Sequence, residues 1–164
     1  AELVAMDIDE LRLQKVSENL QRLNLKATLI TGDAASPPAA LEPASFDRIL
    51  VDAPCSASGV IRRHPDVKLL RRESDIAPLA DQQLCILRGL WPLLKTGGTL
   101  LYATCSILDE ENSQVIQRFL TEEGDAALSD TEMAGSESVT SGRQLLPSSG
   151  GTDGLFYATL KKAG

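Results

Sequence analysis

The chain is organised around one stretch, Arg48-Ile49-Leu50-Val51-Asp52-Ala53-Pro54-Cys55-Ser56. A short apolar run typical of a buried strand leads directly into a carboxylate, a proline and a thiol. The proline fixes the backbone between Asp52 and Cys55, so both side chains are held in one turn. The sequence therefore predicts a strand that delivers two reactive groups at its carboxyl end.

A second thiol stands in the same setting further along the chain. Gly98-Thr99-Leu100-Leu101-Tyr102-Ala103 indicates another buried strand, and Thr104-Cys105-Ser106 follows it at once. In open α/β sheets, ligands bind beyond the carboxyl ends of the strands. We therefore expect Asp52, Cys55 and Cys105 to meet in one cleft.

Strands and helices alternate along most of the chain. The pattern predicts strands over Leu3–Met6, Ala27–Thr31, Arg48–Val51, Gly98–Ala103 and Leu155–Leu160, and helices between Asp9 and Asn24, over Ile76–Leu94 and from Asp109 onward. Lys95–Gly98 is expected to be a turn. This alternation predicts an α/β domain over residues 1–164, with a mostly parallel sheet and helices on both faces.

One segment departs from this alternation. Between residues 124 and 151 the composition shifts to Ser, Thr, Gly and Glu, with few large apolar residues. Such a composition predicts a mobile loop with room for one short strand.

The length and composition of the chain are those of one ordinary globular domain. The chain has 164 residues, of which 43% are hydrophobic and 24% charged. No apolar run approaches the roughly 20 residues of a membrane span, so no membrane association is expected. Because the first residues resemble a strand entered partway along, without an initiator methionine, we expect the chain to be a fragment of a longer protein.

The spacing of the cysteines and the net charge limit the possible functions further. Three widely spaced cysteines fit neither a disulfide framework nor a zinc site, and they favour free thiols in a cytoplasmic protein without a metal. A net charge of -7 argues against a strongly basic nucleic-acid module. Six basic side chains nevertheless lie together after Cys55: Arg62, Arg63, His64, Lys68, Arg71 and Arg72.

Two acidic residues at strand ends each allow two interpretations. Asp7 ends the first strand, where nucleotide-binding folds place a carboxylate for ribose hydroxyls, but a solvated helix-entry residue looks the same. Asp33, after Gly32, is either a turn residue or a carboxylate that faces an adenine amino group. Neither residue decides the function alone.

The three thiols also differ in what they indicate. Buried cysteines usually pack as small apolar groups, and Cys85, within a predicted helix, is interpreted that way. Cys55 and Cys105 precede polar segments whose backbone N–H groups lower a thiol's pKa, so either is a candidate nucleophile. His64 is the only histidine, but a Cys–His pair is disfavoured because it lies between Arg63 and Pro65 with no orienting partner evident.

Four motifs together resemble a known family. They are Asp52-Ala53-Pro54-Cys55-Ser56, Arg62-Arg63-His64-Pro65-Asp66, Thr104-Cys105-Ser106 with Asp109-Glu110-Glu111-Asn112, and Asp153-Gly154-Leu155-Phe156-Tyr157-Ala158. In this order they resemble the RNA cytosine-5 methyltransferases, in particular the bacterial Sun/Fmu type. The likeness runs over nearly the whole chain and is that of a carboxy-terminal fragment of the catalytic domain.

The resemblance implies a Rossmann-like methyltransferase that uses S-adenosyl-L-methionine to methylate carbon 5 of a cytosine in small-subunit (16S) ribosomal RNA. It implies that Asp7 binds the ribose, that Asp33 lies near the adenine, and that Asp52 stands at the junction of cofactor and substrate. Cys105 is similar to the family's nucleophile and Cys55 to the cysteine that assists product release. The Arg62–Asp66 segment would then contact RNA phosphates, although a solvated charged surface is equally compatible with it.

Two features set this chain apart from the intact family pattern. The family's glycine-rich cofactor loop, with its lysine, should precede Asp7 by one strand and one helix, and its strand should lie between those ending at Asp7 and Asp52. Leu69 and Leu155 stand where aromatic residues are common in the family. Without the glycine-rich loop we expect the isolated fragment to be inactive.

Two other functions stay open. A non-catalytic RNA-binding module with a degenerate methyltransferase fold would account for the basic residues beside a missing cofactor loop. A methyltransferase that acts on an exocyclic amine would use the acid–proline pair after the strand, but it leaves Cys105 without a role. The oligomeric state and the target nucleotide do not follow from the sequence.

Overall fold

The computed structural model describes residues 1–129 and 132–164. Within them the chain forms eight strands and four α-helices. In chain order these are β1 (Val4–Asp7), α1 (Glu10–Leu23), β2 (Thr28–Thr31), β3 (Phe46–Asp52), α2 (Val67–Leu70), α3 (Ile76–Leu90), β4 (Leu94–Thr104), α4 (Ser113–Glu122), β5 (Ala126–Ser129), β6 (Glu137–Val139), β7 (Gly142–Leu145) and β8 (Leu155–Lys162).

The strands form two sheets. β1 and β2 pair in parallel as a two-stranded sheet, and the other six strands form a sheet in the order β3-β4-β8-β7-β6, with β5 also paired to β8. β3 and β4 are parallel, whereas every pairing of β8 is antiparallel. The fold is thus the predicted α/β class with a mixed sheet. In the part of the chain that the structure describes, no ladder joins the two sheets.

Helix α1 begins and ends where its caps predict. The Asp9 side chain accepts a hydrogen bond from the backbone N–H of Leu11 at 2.8 Å, and Asn24 closes the helix in the left-handed conformation with φ of 54°. Within this helix only Leu13 is buried, while Leu11 and Leu23 are exposed. The amphipathic pattern therefore finds the helix, but most of its apolar stripe remains open to solvent.

The main core lies between α3, α4 and the larger sheet. The inner face of α3, with Ala80, Leu84 and Leu87, is buried, together with Leu94 at the start of β4. Trp91 packs edge-on against Phe119 of α4 with ring centroids 5.2 Å apart, and its indole N–H donates to Asp125 at 2.7 Å. These contacts pack α4 against the carboxyl end of α3.

The segment between α3 and β4 differs from its prediction. Helix α3 ends at Leu90, and Pro92 lies in a 3-10 turn over Trp91–Leu93, because proline lacks the N–H that a continuing helix needs. The predicted turn at Lys95–Gly98 is an irregularity inside β4. There Leu94 pairs with Phe46 and Thr99 with Arg48, so extra residues bulge out of the ladder.

Two local predictions are wrong. Cys85 is exposed, because its neighbours on either side in the sequence occupy the inner face of α3 and the helical period turns position 85 outward. The helix predicted from Asp109 onward begins later, at Ser113: Asp109 starts a 3-10 turn over Asp109–Glu111, and its carboxylate accepts from the side chain of Gln114 at 3.0 Å.

The segment 124–151 contains three strands instead of one. β5 and β7 both pair with the edge of β8 that faces away from β4, one at each end of β8. β6 pairs with β7. The partner strand lies far along the chain, so local composition does not report the pairing. Asp130 and Thr131 belong to the predicted mobile loop and lie outside the described residues.

Candidate active site

The structure brings the two predicted thiols together. Cys55 follows β3 and Cys105 follows β4, and these strands run parallel with Asp52 in register with Ala103. Their carboxyl ends therefore meet at one edge of the sheet, where the sulfur atoms of Cys55 and Cys105 lie 3.3 Å apart. Both thiols are half-buried and free of any disulfide.

The contact makes the two thiols unequal. The hydrogen bond from Cys55 lowers the pKa of Cys105 to about 7, although burial and the negative charge of Asp52 act in the opposite direction. The same hydrogen bond, together with burial, raises the pKa of Cys55. Cys105 is therefore the more acidic thiol of the pair, and the thiolate is the reactive form of a cysteine.

The loop after Cys55 is held against the terminal motif. Gly59 donates its backbone N–H to the carbonyl oxygen of Cys105 at 2.9 Å, and Gly154 donates to the carbonyl oxygen of Gly59 at 2.9 Å. A side chain at Gly59 would overlap the backbone of Gly154. Ala57, between Cys55 and Gly59, has a φ of 60°, which is rare for a residue with a side chain. Close backbone packing thus sets the path of this loop.

A buried carboxylate lies beneath the thiols. Glu111 is fully buried, and it accepts hydrogen bonds from the backbone N–H of Ser56 at 2.7 Å, the Ser56 hydroxyl at 2.5 Å and the Ser106 hydroxyl at 2.6 Å. In the sequence, Glu111 is only one residue of the helix predicted from Asp109 onward. The structure instead gives Glu111 a role in the site's polar network.

Further buried amides extend this network. Asn112 accepts from the Thr104 hydroxyl at 2.6 Å and donates to the carbonyl oxygen of Ser106 at 2.9 Å. The side chain of Gln83 donates to the carbonyl oxygen of Pro54 at 2.8 Å. Each of these residues has a signal in the sequence: Gln83 interrupts the apolar face of α3, and Asn112 directly precedes α4.

Asp7 and Asp33 lie at the carboxyl ends of the two strands of the smaller sheet. Asp7 is half-buried; one carboxylate oxygen accepts from the N–H of Asp9 at 2.8 Å, and the other lies 3.8 Å from Arg12. Asp33 is exposed and accepts from the N–H of Ala35 at 2.9 Å. The helix-entry and turn roles are therefore present, and each carboxylate also keeps acceptor capacity for a ligand.

Asp52 is the least engaged of the three acids. Its side chain is exposed and forms no hydrogen bond or ion pair with residues 1–129 or 132–164, although its charge acts on the Cys105 thiol. Asp7, Asp33 and Asp52 thus place carboxylate oxygens at the ends of three strands. These acceptors fit the hydroxyl and amino groups of a nucleoside cofactor.

The two arginines of the segment predicted to contact phosphates have a structural function. Arg62 and Arg63 both form ion pairs with Asp153, whose side chain is only 2% exposed. Arg62 also donates to the carbonyl oxygens of Ser148 and Gly151 at 3.0 and 3.2 Å. These arginines therefore tie the loop before β8 to the loop after Cys55. His64 is exposed, and no side-chain hydrogen bond links it to either thiol in the described chain.

A groove of about 580 Å³ opens beside the site. Arg71 connects the two, because its side chain lines the groove and donates to the carbonyl oxygen of Ser56 at 3.2 Å. The groove carries both signs of charge, with three arginines facing three acidic residues. Its lining is Arg71, Arg72, Glu73, Ile76, Ala77, Ala80, Asp81, Leu108, Glu110, Gln114 and Arg118.

The described residues contain neither a membrane-spanning helix nor a metal-binding cluster. None of their helices is both long and apolar enough to cross a membrane. Nor do residues 1–129 and 132–164 gather three or more His, Cys, Asp or Glu side chains in a way that could hold a metal ion.

Solved structures share this fold. A methyltransferase homolog protein from Pyrococcus horikoshii has a TM-score of 0.81 and 31% identity, over 99% of this chain and 53% of that chain. NSun6 from the same organism, solved with SFG, has a TM-score of 0.82 and 28% identity, over 100% of this chain and 42% of that chain. The fold and the site therefore define part of a Rossmann-like methyltransferase domain.

Sequence comparison gives the family. Residues 1–161 match the model of the family described as 16S rRNA methyltransferase RsmB/F, and the chain belongs to that family. Ribosomal RNA small subunit methyltransferase B of Photorhabdus laumondii is 54% identical over 162 residues. The match covers 99% of this chain and 37% of that relative, so the chain spans little more than a third of the relative's length.

Proposed function

We propose that this chain carries the catalytic thiols of an S-adenosyl-L-methionine-dependent methyltransferase that acts on carbon 5 of a cytosine in small-subunit ribosomal RNA. The observation that carries the proposal is the 3.3 Å contact between Cys55 and Cys105, with Cys105 as the more acidic thiol. The small-subunit substrate is supported by the names of the family and of its relatives.

The chemistry requires a thiolate because carbon 5 of cytosine is a poor nucleophile. Addition of the Cys105 sulfur to carbon 6 turns the ring into an enamine, in which carbon 5 becomes nucleophilic. S-adenosyl-L-methionine, when bound, supplies the methyl group. The target base must leave its stack to reach Cys105, which is easiest in an unpaired segment of RNA.

Cys55 is suited to the steps that release the product. Its pKa is raised largely by its hydrogen bond to Cys105, so it is protonated while Cys105 is a free thiolate. When Cys105 forms a bond to carbon 6, its negative charge is lost and Cys55 becomes easier to deprotonate. Once Cys55 has given its own proton to solvent, its thiolate can take the proton from carbon 5, after which the bond between Cys105 and carbon 6 breaks and Cys105 leaves as the thiolate.

Three carboxylates complete the proposed site. Asp52 is exposed and its charge acts on Cys105. We assign it to a contact with a ring nitrogen of the base, at the place where the base and the cofactor meet. Asp7 and Asp33 are assigned to the ribose hydroxyls and the adenine amino group. SFG, an S-adenosyl-L-methionine analogue in the NSun6 structure, supports the choice of cofactor.

The test of the nucleophile is Cys105→Ala in the full-length protein, assayed for 5-methylcytosine in small-subunit ribosomal RNA. We expect methylation to be lost. Cys85→Ala is the matched control, since it removes an exposed thiol of α3 that has no place in the proposed site. Methylation of carbon 5 at the normal rate by Cys105→Ala would contradict the proposal.

The release role of Cys55 has a separate test. In Cys55→Ala we expect the bond between Cys105 and the RNA to persist, so that a covalent protein–RNA adduct accumulates on a denaturing gel. The double variant Cys55→Ala, Cys105→Ala should form no adduct. Absence of adduct with Cys105 intact would count against this role.

A non-catalytic RNA-binding module is the second candidate. It is favoured by one observation: Asp7 and Asp33 both accept local backbone hydrogen bonds that need no cofactor. Calorimetry with S-adenosyl-L-methionine on the full-length protein separates the two candidates, because tight binding excludes the second. We also propose a cytoplasmic location, as expected for a protein that modifies ribosomal RNA and keeps three free thiols.

The isolated chain is proposed to be inactive. It covers 37% of its relative, and within residues 1–129 and 132–164 no ladder joins its two sheets. Methylation assays of residues 1–164 beside the full-length protein test this, and equal rates would refute it.

A further inference from the structure

The most enclosed charged group near the thiols is the side chain of Glu111, which has no exposed surface. One carboxylate oxygen accepts from the N–H of Ser56 at 2.7 Å and from the Gln83 amide at 3.4 Å. The other accepts from the hydroxyls of Ser56 and Ser106 at 2.5 and 2.6 Å. Four donors therefore converge on one carboxylate, which matches its full acceptor capacity.

The identity of the donors is informative. Ser56 directly follows Cys55, and Ser106 directly follows Cys105, so a single side chain binds both thiol-bearing loops from below. Glu111 is itself held in place, because its carbonyl oxygen accepts from the buried hydroxyl of Tyr102 at 2.8 Å. The connection runs from the core of β4 through Glu111 to both loops.

These hydrogen bonds are of the strong kind. Donors that face an ionised acceptor form shorter bonds, roughly twice as strong as neutral ones. Within the described residues Glu111 has no ion-pair partner, so the hydrogen-bond donors alone compensate its burial. A loop that moved away would leave part of a buried charge unsatisfied, which is costly. Both loops are therefore held firmly relative to one another.

We propose that Glu111 is the positioning residue that keeps the Cys55 and Cys105 thiols in contact. In the described part of the chain it forms no hydrogen bond with either thiol, and it acts through Ser56 and Ser106. The contact between the thiols is thus set before any RNA binds. The importance of that contact for methylation rests on the proposed function, but the positioning itself does not.

The test is Glu111→Gln in the full-length protein, which keeps the shape of the side chain but replaces one acceptor oxygen with a donor. The first readout is formation of a Cys55–Cys105 disulfide by hydrogen peroxide: each thiol gives up a hydrogen, the sulfurs bond, and the peroxide is reduced to two waters. We expect this rate to fall on the order of tenfold, the effect of losing one hydrogen bond to a charged group. The second readout is the pH midpoint of Cys105 alkylation by iodoacetamide, which should rise as the contact with Cys55 is lost.

Glu110→Gln is the matched control, since Glu110 is the adjacent glutamate in the chain and is exposed. It should leave both readouts unchanged. If Glu111 served only the stability of the fold, Glu111→Gln would lower the melting temperature while the folded variant kept its disulfide rate and alkylation midpoint. That result would overturn the proposal.

If Glu111→Gln does not fold, two variants that each remove one hydrogen bond to Glu111 still test the proposal. Ser106→Ala removes one hydroxyl donor and Ser56→Ala removes another, and each should shift both readouts in the same direction by less. Unchanged readouts in both variants would refute the positioning role. Neither readout uses RNA or cofactor, so methylation by Cys105→Ala would defeat the proposed function and leave this proposal standing.

Discussion

The sulfur of Cys55 lies 3.3 Å from the sulfur of Cys105, although the two residues are 50 positions apart. The contact lowers the pKa of Cys105 and raises that of Cys55, because a Cys105 thiolate can accept a hydrogen bond from the Cys55 thiol. The sheet therefore builds a donor–acceptor pair from two side chains that would have the same chemistry in water. This asymmetry can be measured.

Alkylation of Cys105 should follow a titration with a midpoint near pH 7, because its pKa is lowered to about 7. Only the thiolate reacts, so the rate should be low below this pH and reach its plateau above it. In Cys55→Ala the hydrogen bond is lost and the midpoint should move up toward the ordinary thiol range of about 8.5. Iodoacetamide labelling read by peptide mass spectrometry, in a Cys85→Ala background, measures the midpoint.

Cys55→Ser provides the control for that titration. A serine hydroxyl still donates a hydrogen bond to Cys105, so the midpoint should stay closer to that of the parent protein than in Cys55→Ala. Identical midpoints in the parent and in Cys55→Ala would show that Cys55 does not set the acidity of Cys105.

Mild hydrogen peroxide should inactivate the full-length protein reversibly. The two thiols are already in contact, so oxidation to a disulfide with loss of two hydrogens needs little rearrangement of the loops. We expect a peptide cross-linked between Cys55 and Cys105, and recovery of activity with dithiothreitol. Cys85→Ala should behave like the parent, whereas a cross-link that involves Cys85 would be inconsistent with the geometry.

Gly59→Ala should disrupt the thiol contact more than its size suggests. The added carbon would overlap the backbone of Gly154, so the loop that carries Cys55 must shift. Peroxide cross-linking and alkylation of Cys105 should both slow. Gly124→Ala is the matched control, since nothing lies within 4 Å of a side-chain carbon there. Equal behaviour of the two variants would argue against close packing as the reason for glycine at position 59.

The double variant Arg62→Ala, Arg63→Ala should destabilise the protein. It leaves Asp153, whose side chain is 2% exposed, without its two ion-pair partners. An unsatisfied buried group costs roughly 1–3 kcal/mol, and more when it is charged. Urea unfolding followed by circular dichroism measures this loss, with exposed Lys68→Ala as a control that should stay within about 0.5 kcal/mol of the parent. Near-equal stabilities would assign the arginines to ligand contacts instead.

The parts of the fold and site that follow from the sequence are those encoded locally. Asp9 and Asn24 mark α1 through capping chemistry, and the apolar runs before Cys55 and Cys105 mark two strands whose carboxyl ends meet. The exposure of Cys85 could also be derived from the local sequence, because position 85 falls outside the apolar face of α3.

The parts that do not follow depend on contacts between distant residues. Glu111 is defined by Ser56, 55 positions away, and the strands within 124–151 are defined by their pairing with β8. In the same way, the local sequence around Arg62 and Arg63 indicates a basic patch, because their common partner Asp153 lies about 90 positions later in the chain. A local pattern gives the chemical type of each of these residues but not its partner.

The separation of the two sheets has a consequence for cooperativity. β1, α1 and β2 share no ladder with the larger sheet in the described chain, and within α1 only Leu13 is buried. Such a unit can open sub-globally without breaking the hydrogen bonds around Cys55 and Cys105. In residues 1–164 alone, amide protons of β1 and β2 should therefore exchange with solvent well before those of β4 and β8. Two of the acids proposed for the cofactor, Asp7 and Asp33, thus lie outside the sheet whose strands carry Asp52 and both thiols.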